Sequence, residues 1–318
     1  AIVDVGLVPK LKMACSFYQV VVVIPTVYGV RVPEWYTRWM SNLAFVELDW
    51  FQIVPGKCFF DGFTSMLLAR ALVPLAAIAA VVLAAPPLAL VRKRCFGGGA
   101  RTQLLLAGMP LGLALSFAFV PSVSAFAFAA WNCVAYEADA ATGADRLYLR
   151  ADPSVACGTD EHARIKRVAA VLVAVWPVGT LLLYGGLFAV CRRSVQMRRP
   201  TRLARACGFL FREYEPDVCG WEVAELAKRL LLTGFVLLID DSKAFMRLIV
   251  AKLTSVCFLV LLLVFTPYRR KDHDLLAISS QLILTVIFLA ASYVKLFESA
   301  ATAEIMGFDS AEQLVGVM

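Results

Sequence analysis

The chain has 318 residues, of which 60% are apolar and 17% charged, and its mean hydropathy is +0.75. Soluble domains contain about half apolar and about a quarter charged residues, so this composition excludes an ordinary soluble domain. Uncharged runs long enough to cross a hydrocarbon layer of about 30 Å recur along the chain, which favours a membrane protein over a soluble protein with a large core.

The first residues indicate that the chain is part of a longer protein. The sequence begins at Ala1 and not at a methionine, and no compact signal peptide precedes the first apolar run. We therefore expect a fragment or a processed product.

Seven apolar runs of helical length predict an all-α polytopic membrane protein, a bundle of about seven transmembrane helices within residues 1–297. The predicted spans are residues 13–30, 62–91, 103–130, 169–190, 221–239, 244–268 and 275–294. Residues 298–318 would form a C-terminal tail. The fifth span has four charged residues in its first two turns, so this segment could equally begin as an interfacial helix that dips into the membrane.

The segment from residue 31 to residue 61 combines many aromatic side chains with acidic ones and Pro55. It is too polar to cross a membrane comfortably and too aromatic for a free linker, so we predict a helix that lies in the outer interface. Glu47 and Asp49 are candidate charges at a pore mouth if the protein conducts cations. An anchored loop without such a role is the alternative.

The loops on the two sides of the predicted bundle differ in charge. One set comprises residues 1–12, 92–102, 191–229 and 268–274, and the other comprises residues 31–61, 131–167, 240–243 and 295–318. The first set has 18 Lys or Arg against 8 Asp or Glu, and the second has 10 against 16. Because basic loops stay in the cytoplasm, we predict a cytoplasmic N-terminus and an outside or luminal C-terminus, in the plasma membrane or an endomembrane.

Cysteine positions predict one disulfide. Of the nine cysteines, only Cys58, Cys133 and Cys157 lie in the predicted outer loops. A Cys133–Cys157 bridge would close the long loop there in an oxidising compartment, and free thiols or a bridge to Cys58 are the alternatives.

Enzyme signatures are missing from the sequence. It has no P-loop, no GxSxG elbow and no HExxH motif, and its two histidines and scattered cysteines make a zinc site improbable. We expect no catalytic activity, no cofactor and no nucleic-acid partner.

Ionisable and polar side chains inside the spans are the best pointers to function, because each is costly in hydrocarbon unless paired, hydrated or close to the interface. Arg70 and Arg247 are near enough to span ends to snorkel, whereas Lys252 is deeper. In the seventh span, Ser280 and Gln281 belong to a polar side of the helix that suits either helix–helix hydrogen bonds or a cavity lining. Lys252, Arg247, Ser280 and Gln281 are therefore candidates for a pathway or a gate, with structural roles as the alternative.

The stretch between the fourth and fifth spans is rich in charge. Six arginines in its first half predict contact with anionic lipid at the inner leaflet, or else mark orientation alone. They are Arg192, Arg193, Arg198, Arg199, Arg202 and Arg205. In its second half, Trp221 suits the membrane interface, and Glu222, Glu225 and Arg229 are spaced so that one helix face can pair acid with base.

Four landmarks occur in a characteristic order. They are NLAFVELDWFQIVPGKCF, a Cys133-to-Cys157 loop of the form C…YLRAD…C, FLFREYEPDVCGWEVAELAKRLLLTG and TPYRRKDHDLLAISSQLILTVIF. In this order, over about residues 10–297, they resemble the membrane region of transient-receptor-potential-like proteins: the fungal polycystin-like and flavin-carrier group with its algal and oomycete relatives. No selectivity-filter sequence accompanies them.

The resemblance implies a channel-like membrane domain that conducts cations and is coupled to an extracellular region. The expected partners are membrane lipids, including anionic lipid at the cytoplasmic face, and further copies of the chain. Two alternatives belong to other classes. One is a secondary transporter or lipid-handling protein with a midplane site near Lys252, and the other is a membrane anchor for extracellular adhesion modules.

Overall fold

The computed structural model describes residues 7–30, 32, 34–43, 62–96, 106–136, 146–239 and 243–297. Within these residues the chain is mostly helical, with one small antiparallel sheet. The predicted mouth charges Glu47 and Asp49 and the predicted tail 298–318 lie outside the described residues.

The described part of the chain contains twelve α-helices and three strands. The α-helices are α1 (Leu7–Val22), α2 (Ile24–Tyr28), α3 (Glu34–Leu43), α4 (Gly62–Phe96), α5 (Met109–Phe128), α6 (Asp160–Val173), α7 (Gly179–Gln196), α8 (Arg202–Ala206), α9 (Gly208–Phe211), α10 (Trp221–Thr233), α11 (Ala244–Phe265) and α12 (Lys271–Phe297). The strands are β1 (Cys133–Tyr136), β2 (Arg146–Leu149) and β3 (Asp152–Ala156). Short 3-10 turns cover Ala129–Trp131, Pro216–Val218 and Phe235–Leu238.

Six of the described helical segments are long and apolar enough to cross a membrane. They are Leu7–Tyr28, Gly62–Ala84, Met109–Trp131, Asp160–Gln196, Ala244–Phe265 and Lys271–Leu296. Their outward faces remain apolar: Leu182 is 71% exposed and Val264 is 69% exposed. Contiguous apolar surface of this kind is unfavourable in water and suits contact with lipid. The apolar helices confirm the prediction of an integral, multi-pass membrane protein.

The predicted fifth span differs from the other six. Helix α10 has only 13 residues, which at helical rise is about 20 Å and less than the hydrocarbon layer. A 3-10 turn, Phe235–Leu238, follows it. Two of its four charged side chains, Glu222 and Arg229, are each 1% exposed. Helix α10 therefore packs inside the bundle, where a helix does not need a high hydropathy.

The described core has three apolar clusters, and α10 contributes to the two largest. The first joins α4, α5, α6, α7 and the β-sheet, and the second joins α1, α2, α11 and α12. Leu226 and Leu230 belong to the first cluster and Leu232 to the second. A short buried helix between two apolar layers therefore carries its polar side chains into the middle of the bundle.

A π-helical segment, Ala174–Val178, connects α6 with α7 and contains Pro177. A proline removes one backbone donor, and a local π-helical adjustment is one of the ways in which membrane helices satisfy the backbone group that this frees. Trp176 and Pro177 are buried there. Farther along α7, the Tyr184 hydroxyl donates to the Leu113 carbonyl oxygen at 3.1 Å, which ties α7 to α5.

The sheet stands at the end of the bundle where α5 ends and α6 begins. Its strands are antiparallel in the order β1-β2-β3, and a disulfide joins Cys133 to Cys157. The predicted bridge is thus confirmed, whereas the strands were not predicted. His162 strengthens the junction, since its Nε2 lies 3.0 Å from the Ala130 carbonyl oxygen and the Gly158 N–H donates to its Nδ1.

Candidate functional site: two cavities around a buried arginine

An ion pair joins α1 to α10 near the N-terminal end of each helix. Lys12 Nζ lies 2.5 Å from Glu222 Oε2, and the two side chains are 9% and 2% exposed. The Tyr214 hydroxyl donates to the same carboxylate oxygen at 2.8 Å. Burial and the neighbouring carboxylate raise the pKa of Tyr214 far above its usual value, so this phenol remains a donor.

A small cavity of about 50 Å³ adjoins this ion pair, and we call it the inner cavity. Its polar lining includes Lys12, Glu213, Tyr214, Glu222, Glu225, Lys228, Tyr268, Ser280 and Gln281. Burial raises the pKa of the Glu213 carboxyl, and the Lys12 ammonium opposes this effect. Glu222 Oε1 is buried without a hydrogen-bond partner among the described residues. A polar cavity of this size has room for a few water molecules, which could satisfy that oxygen.

A chain of hydrogen bonds continues from the inner cavity between α10, α11 and α12. Lys228 Nζ lies 2.8 Å from Glu225 Oε2 and donates to Gln281 Oε1 at 3.0 Å. Gln281 Nε2 donates to the Ser255 hydroxyl at 2.8 Å, and that hydroxyl lies 2.8 Å from the Thr285 hydroxyl. The predicted polar side of the last span therefore serves both alternatives, helix–helix bonding and cavity lining.

Arg229 is buried at the centre of the bundle. Its Nη1 donates to Gln19 Oε1 at 2.9 Å, and its Cζ lies 4.0 Å from the centre of the Phe117 ring. Gln19 in turn donates to the Ala118 carbonyl oxygen at 3.1 Å. Two further donors of the guanidinium, Nε and Nη2, have no hydrogen-bond partner in the described part of the chain. A buried charge with unused donors is expensive and marks a candidate functional group.

A larger cavity of about 410 Å³ lies on the other side of Arg229, towards the sheet, and we call it the outer cavity. Gln19 lines the outer cavity and Phe117 lines the inner one. Arg229 contacts both of these side chains, so it lies between the two cavities. The layer between the two cavities therefore contains Arg229, Gln19 and Phe117. Further basic side chains line the cavities themselves, Lys12 and Lys228 the inner one and Arg70 and Arg150 the outer one.

The structure corrects the predicted interfacial cluster of Trp221, Glu222, Glu225 and Arg229. Glu222 pairs with Lys12 and Glu225 with Lys228, whereas the hydrogen bond of Arg229 goes to Gln19. Trp221 is 7% exposed and packs on Phe258, with ring centres 5.3 Å apart. The predicted pairing of these acids with Arg229 is therefore wrong, because Glu222 and Arg229 both find partners on α1, whereas Glu225 does pair within α10, with Lys228.

Arg247 does not snorkel, which also corrects the prediction. Its side chain is 1% exposed and donates to two backbone carbonyls, from Nε to Ile239 O at 2.8 Å and from Nη1 to Val27 O at 3.0 Å. It thus clamps the end of α2 to the segment after α10. Lys252 is half-buried on α11 and lines neither cavity, so the structure does not bring it together with Ser280 and Gln281.

A third cavity, of about 600 Å³, lies at the end of the bundle opposite the sheet, and we call it the basic cleft. Arg198, Arg205, Arg212 and Arg269 line it together with a single carboxylate, Glu215. All four arginines are exposed, and none forms a salt bridge with an acidic residue in the described ranges. Of the six arginines predicted for lipid contact, Arg198 and Arg205 line this cleft, whereas Arg192, Arg193, Arg199 and Arg202 do not.

One group of described residues has the spacing of a metal site: Cys133, Cys157 and His162. The two sulfur atoms are bonded to each other, so neither is a thiolate that could bind an ion. The group is better explained as the disulfide and histidine that hold the sheet to the bundle.

Sequence reasoning missed Lys12, Gln19, Tyr214, Arg212 and Arg269. The available signals were a lone amide in the middle of the first span and the basic residue just before that span. Both are ordinary on their own. They gain meaning only from contacts such as the bond between Arg229 and Gln19, which joins residues 210 positions apart.

No protein-family profile, curated protein or solved structure matches the chain.

Proposed function

We propose that this chain is a channel-like membrane domain that conducts cations, and that Arg229 closes its route. The observation that carries the proposal is the buried guanidinium between two cavities that lie towards opposite ends of the bundle and that both have polar side chains in their linings. A fixed charge in a narrow, low-dielectric passage opposes ions of the same sign. Displacement of Arg229 from Gln19 and Phe117 would remove this barrier and join the cavities.

The route requires a seventh crossing through α10, and two contacts support one. At the start of α10, Glu222 pairs with Lys12 near the beginning of α1. After α10, Arg247 donates to the carbonyl oxygens of both Ile239 and Val27. Val27 lies in α2, at the end of the predicted first span that is far from Lys12. The segment from Trp221 to Ile239 therefore runs from one end of the bundle to the other, parallel to the first span, although α10 is short and charged.

The resemblance to transient-receptor-potential-like proteins agrees with this proposal. Two of its landmarks, FLFREYEPDVCGWEVAEL and TPYRRKDHDLL, meet beside the inner cavity: Tyr214 and Tyr268 form an antiparallel bridge, and the Arg269 N–H donates to the Glu213 carbonyl oxygen at 3.1 Å. Two of the four segments that carry the resemblance are thus packed beside the inner cavity.

A carrier is the second candidate, because two cavities on either side of one buried layer also suit alternating access. Ion flux through the purified protein in liposomes tests both functions. Single-channel currents support the channel, whereas saturable exchange without unitary currents supports the carrier. If neither the native chain nor variants at Arg229 support any flux, both proposals fail.

We propose that the basic cleft and the N-terminus face the cytoplasm, as the charge asymmetry indicates. Single-cysteine labelling in intact cells checks the orientation. An impermeant maleimide should label Glu161→Cys, on the exposed first turn of α6 beside the disulfide, before permeabilisation. It should label Thr201→Cys, an exposed position before α8, only afterwards. The reverse pattern would show that the bundle is inverted.

We further propose that the basic cleft binds anionic lipid headgroups of the inner leaflet. Each arginine near an anionic surface contributes about 1 kcal/mol, or about fivefold in affinity. Arg205→Gln and Arg212→Gln should therefore each weaken binding to phosphatidylserine vesicles about fivefold. Arg199→Gln and Arg202→Gln are matched controls, since both arginines are exposed but lie outside the cleft. Equal losses in all four variants would show a diffuse charge effect and no defined site.

A further inference from the structure

The outer cavity has a chemistry that ion conduction does not explain. Its volume of about 410 Å³ falls in the range of small-molecule sites, which are mostly apolar with a few convergent polar groups. Much of its wall is apolar, with Val23, Pro74, Phe119 and Phe126 among the lining residues, and two arginines, Arg70 and Arg150, join them. No carboxylate belongs to the described lining. A route built only for cations would not need this mixture.

The two arginines come from different parts of the fold. Arg70 lies on α4, and its Cζ is 3.9 Å from the centre of the Phe126 ring. Arg150 lies in the turn between β2 and β3, and its backbone N–H donates to the Asn132 carbonyl oxygen at 2.9 Å. A guanidinium has five N–H donors, so each arginine can bind an anionic group while it keeps other partners.

A buried amide adds a polar contact. Asn132 lines the outer cavity and is 5% exposed, and its Oδ1 has no hydrogen-bond partner among the residues that the structure describes. An unsatisfied buried acceptor costs free energy. A ligand that carries a hydroxyl or a protonated acid close to its anionic group would satisfy it.

The side of the outer cavity that the sheet forms is held by a covalent cross-link. The disulfide between Cys133 and Cys157 holds the sheet that carries Arg150. On the opposite side, Gly29 has a φ of +61°, and a Cβ there would be 4.0 Å from Arg150 Nη1. The guanidinium therefore lies against the end of α2, and the site is built on fixed elements, as ligand sites usually are.

From this geometry we propose that the outer cavity binds an anionic amphiphile with one alkyl chain. The carboxylate or phosphate head lies between Arg70 and Arg150, and the chain lies along Val23, Phe119 and Phe126. The volume suits one alkyl chain better than the two chains of a membrane phospholipid. This site is at the sheet end of the bundle and is separate from the basic cleft, and its occupation does not depend on ion flux.

Native mass spectrometry of the purified protein in detergent tests the proposal with three probes that share a 16-carbon chain. Palmitate and palmitoyl lysophosphatidate are anionic, and monopalmitoylglycerol is neutral. We expect both anionic probes to bind at least tenfold more tightly than the neutral one. A preference between the two anionic probes supports the proposal and identifies the head as carboxylate or phosphate. Equal affinity for all three probes overturns it.

Substitutions in the lining of the outer cavity test whether the probes bind there. Arg70→Gln and Arg150→Gln should each weaken binding of the anionic probes at least fivefold without changing that of monopalmitoylglycerol. Ala125→Phe, which fills the cavity from its wall, should weaken binding of all three. Arg164→Gln is the matched control, because Arg164 is exposed on α6 and does not line the cavity. If Arg70→Gln does not fold, Arg150→Gln and Ala125→Phe carry the test, and unchanged palmitate affinity in both overturns the proposal.

Discussion

Replacement of Arg229 by methionine is expected to raise cation flux through the reconstituted protein about a hundredfold. A unit positive charge about 5 Å from a permeating cation repels it by about 3 kcal/mol at an effective dielectric constant of about 20, and each 1.4 kcal/mol corresponds to about tenfold. Methionine replaces the unbranched stem of arginine without the guanidinium group and without its charge. The measurement is potassium flux from liposomes at equal protein density for the native chain and the variant.

Arg229→Lys is the control for this result, because it keeps the charge and loses the fork of donors. Its cation flux should stay near that of the native chain. Gln19→Leu removes the hydrogen bond to Arg229 Nη1 and should loosen the closed arrangement. Its flux should therefore lie between that of the native chain and that of Arg229→Met. If Arg229→Met and Arg229→Lys increase flux equally, the barrier depends on packing, and the electrostatic explanation is wrong.

Removal of one partner of the Lys12–Glu222 pair is expected to destabilise the bundle by about 3–5 kcal/mol, because an uncompensated buried charge remains. Lys12→Met leaves the Glu222 carboxylate with the Tyr214 hydroxyl, and Glu222→Leu leaves the Lys12 ammonium. The double variant should recover much of the loss, because an apolar pair needs no compensating charge. Unfolding of the purified protein in detergent, for the native chain and all three variants, measures these free energies.

The exposed pair of Lys10 and Asp272 provides a matched control for this cycle. Its two atoms lie 3.1 Å apart, but the side chains are 39% and 41% exposed, and solvent screens such pairs. Lys10→Met should therefore change the stability little. If Lys12→Met is no more damaging than Lys10→Met, the buried ion pair does not stabilise the junction of α1 and α10.

Hydropathy was sufficient to predict the six long apolar segments, because lipid-facing helices must be apolar along their length. It could not predict that α10 ends at Thr233. A helix surrounded by protein can carry charged side chains, so its length is not marked by a continuous apolar run. The strands of the sheet were missed for a different reason. Segments as short as CVAY and RLYL carry too few residues to show an alternating pattern.

The candidate site was predictable only in part. Gln281, Glu222 and Arg229 were conspicuous as polar residues in or beside apolar runs. The disulfide was predicted because its two cysteines belong to the loops that the charge pattern assigns to one side of the bundle. Their partners were not predictable: the Lys12–Glu222 pair joins two helices that are distant in sequence. The basic cleft likewise combines Arg198 with Arg269, and no local spacing relates these two positions.

The π-helical turn before α7 fixes the rotational phase of that helix. Each residue in an α-helix advances the chain by about 100°, and a π-turn holds one residue more than an α-turn. Loss of one residue from Ala174–Val178 would therefore let a regular α-helix continue into α7 in the same phase. Loss of one residue between Val178 and Tyr184 would instead turn the later side chains by about 100°, as far as Gln196. Tyr184 would then move away from the Ser116 hydroxyl, which lies 2.9 Å from its own.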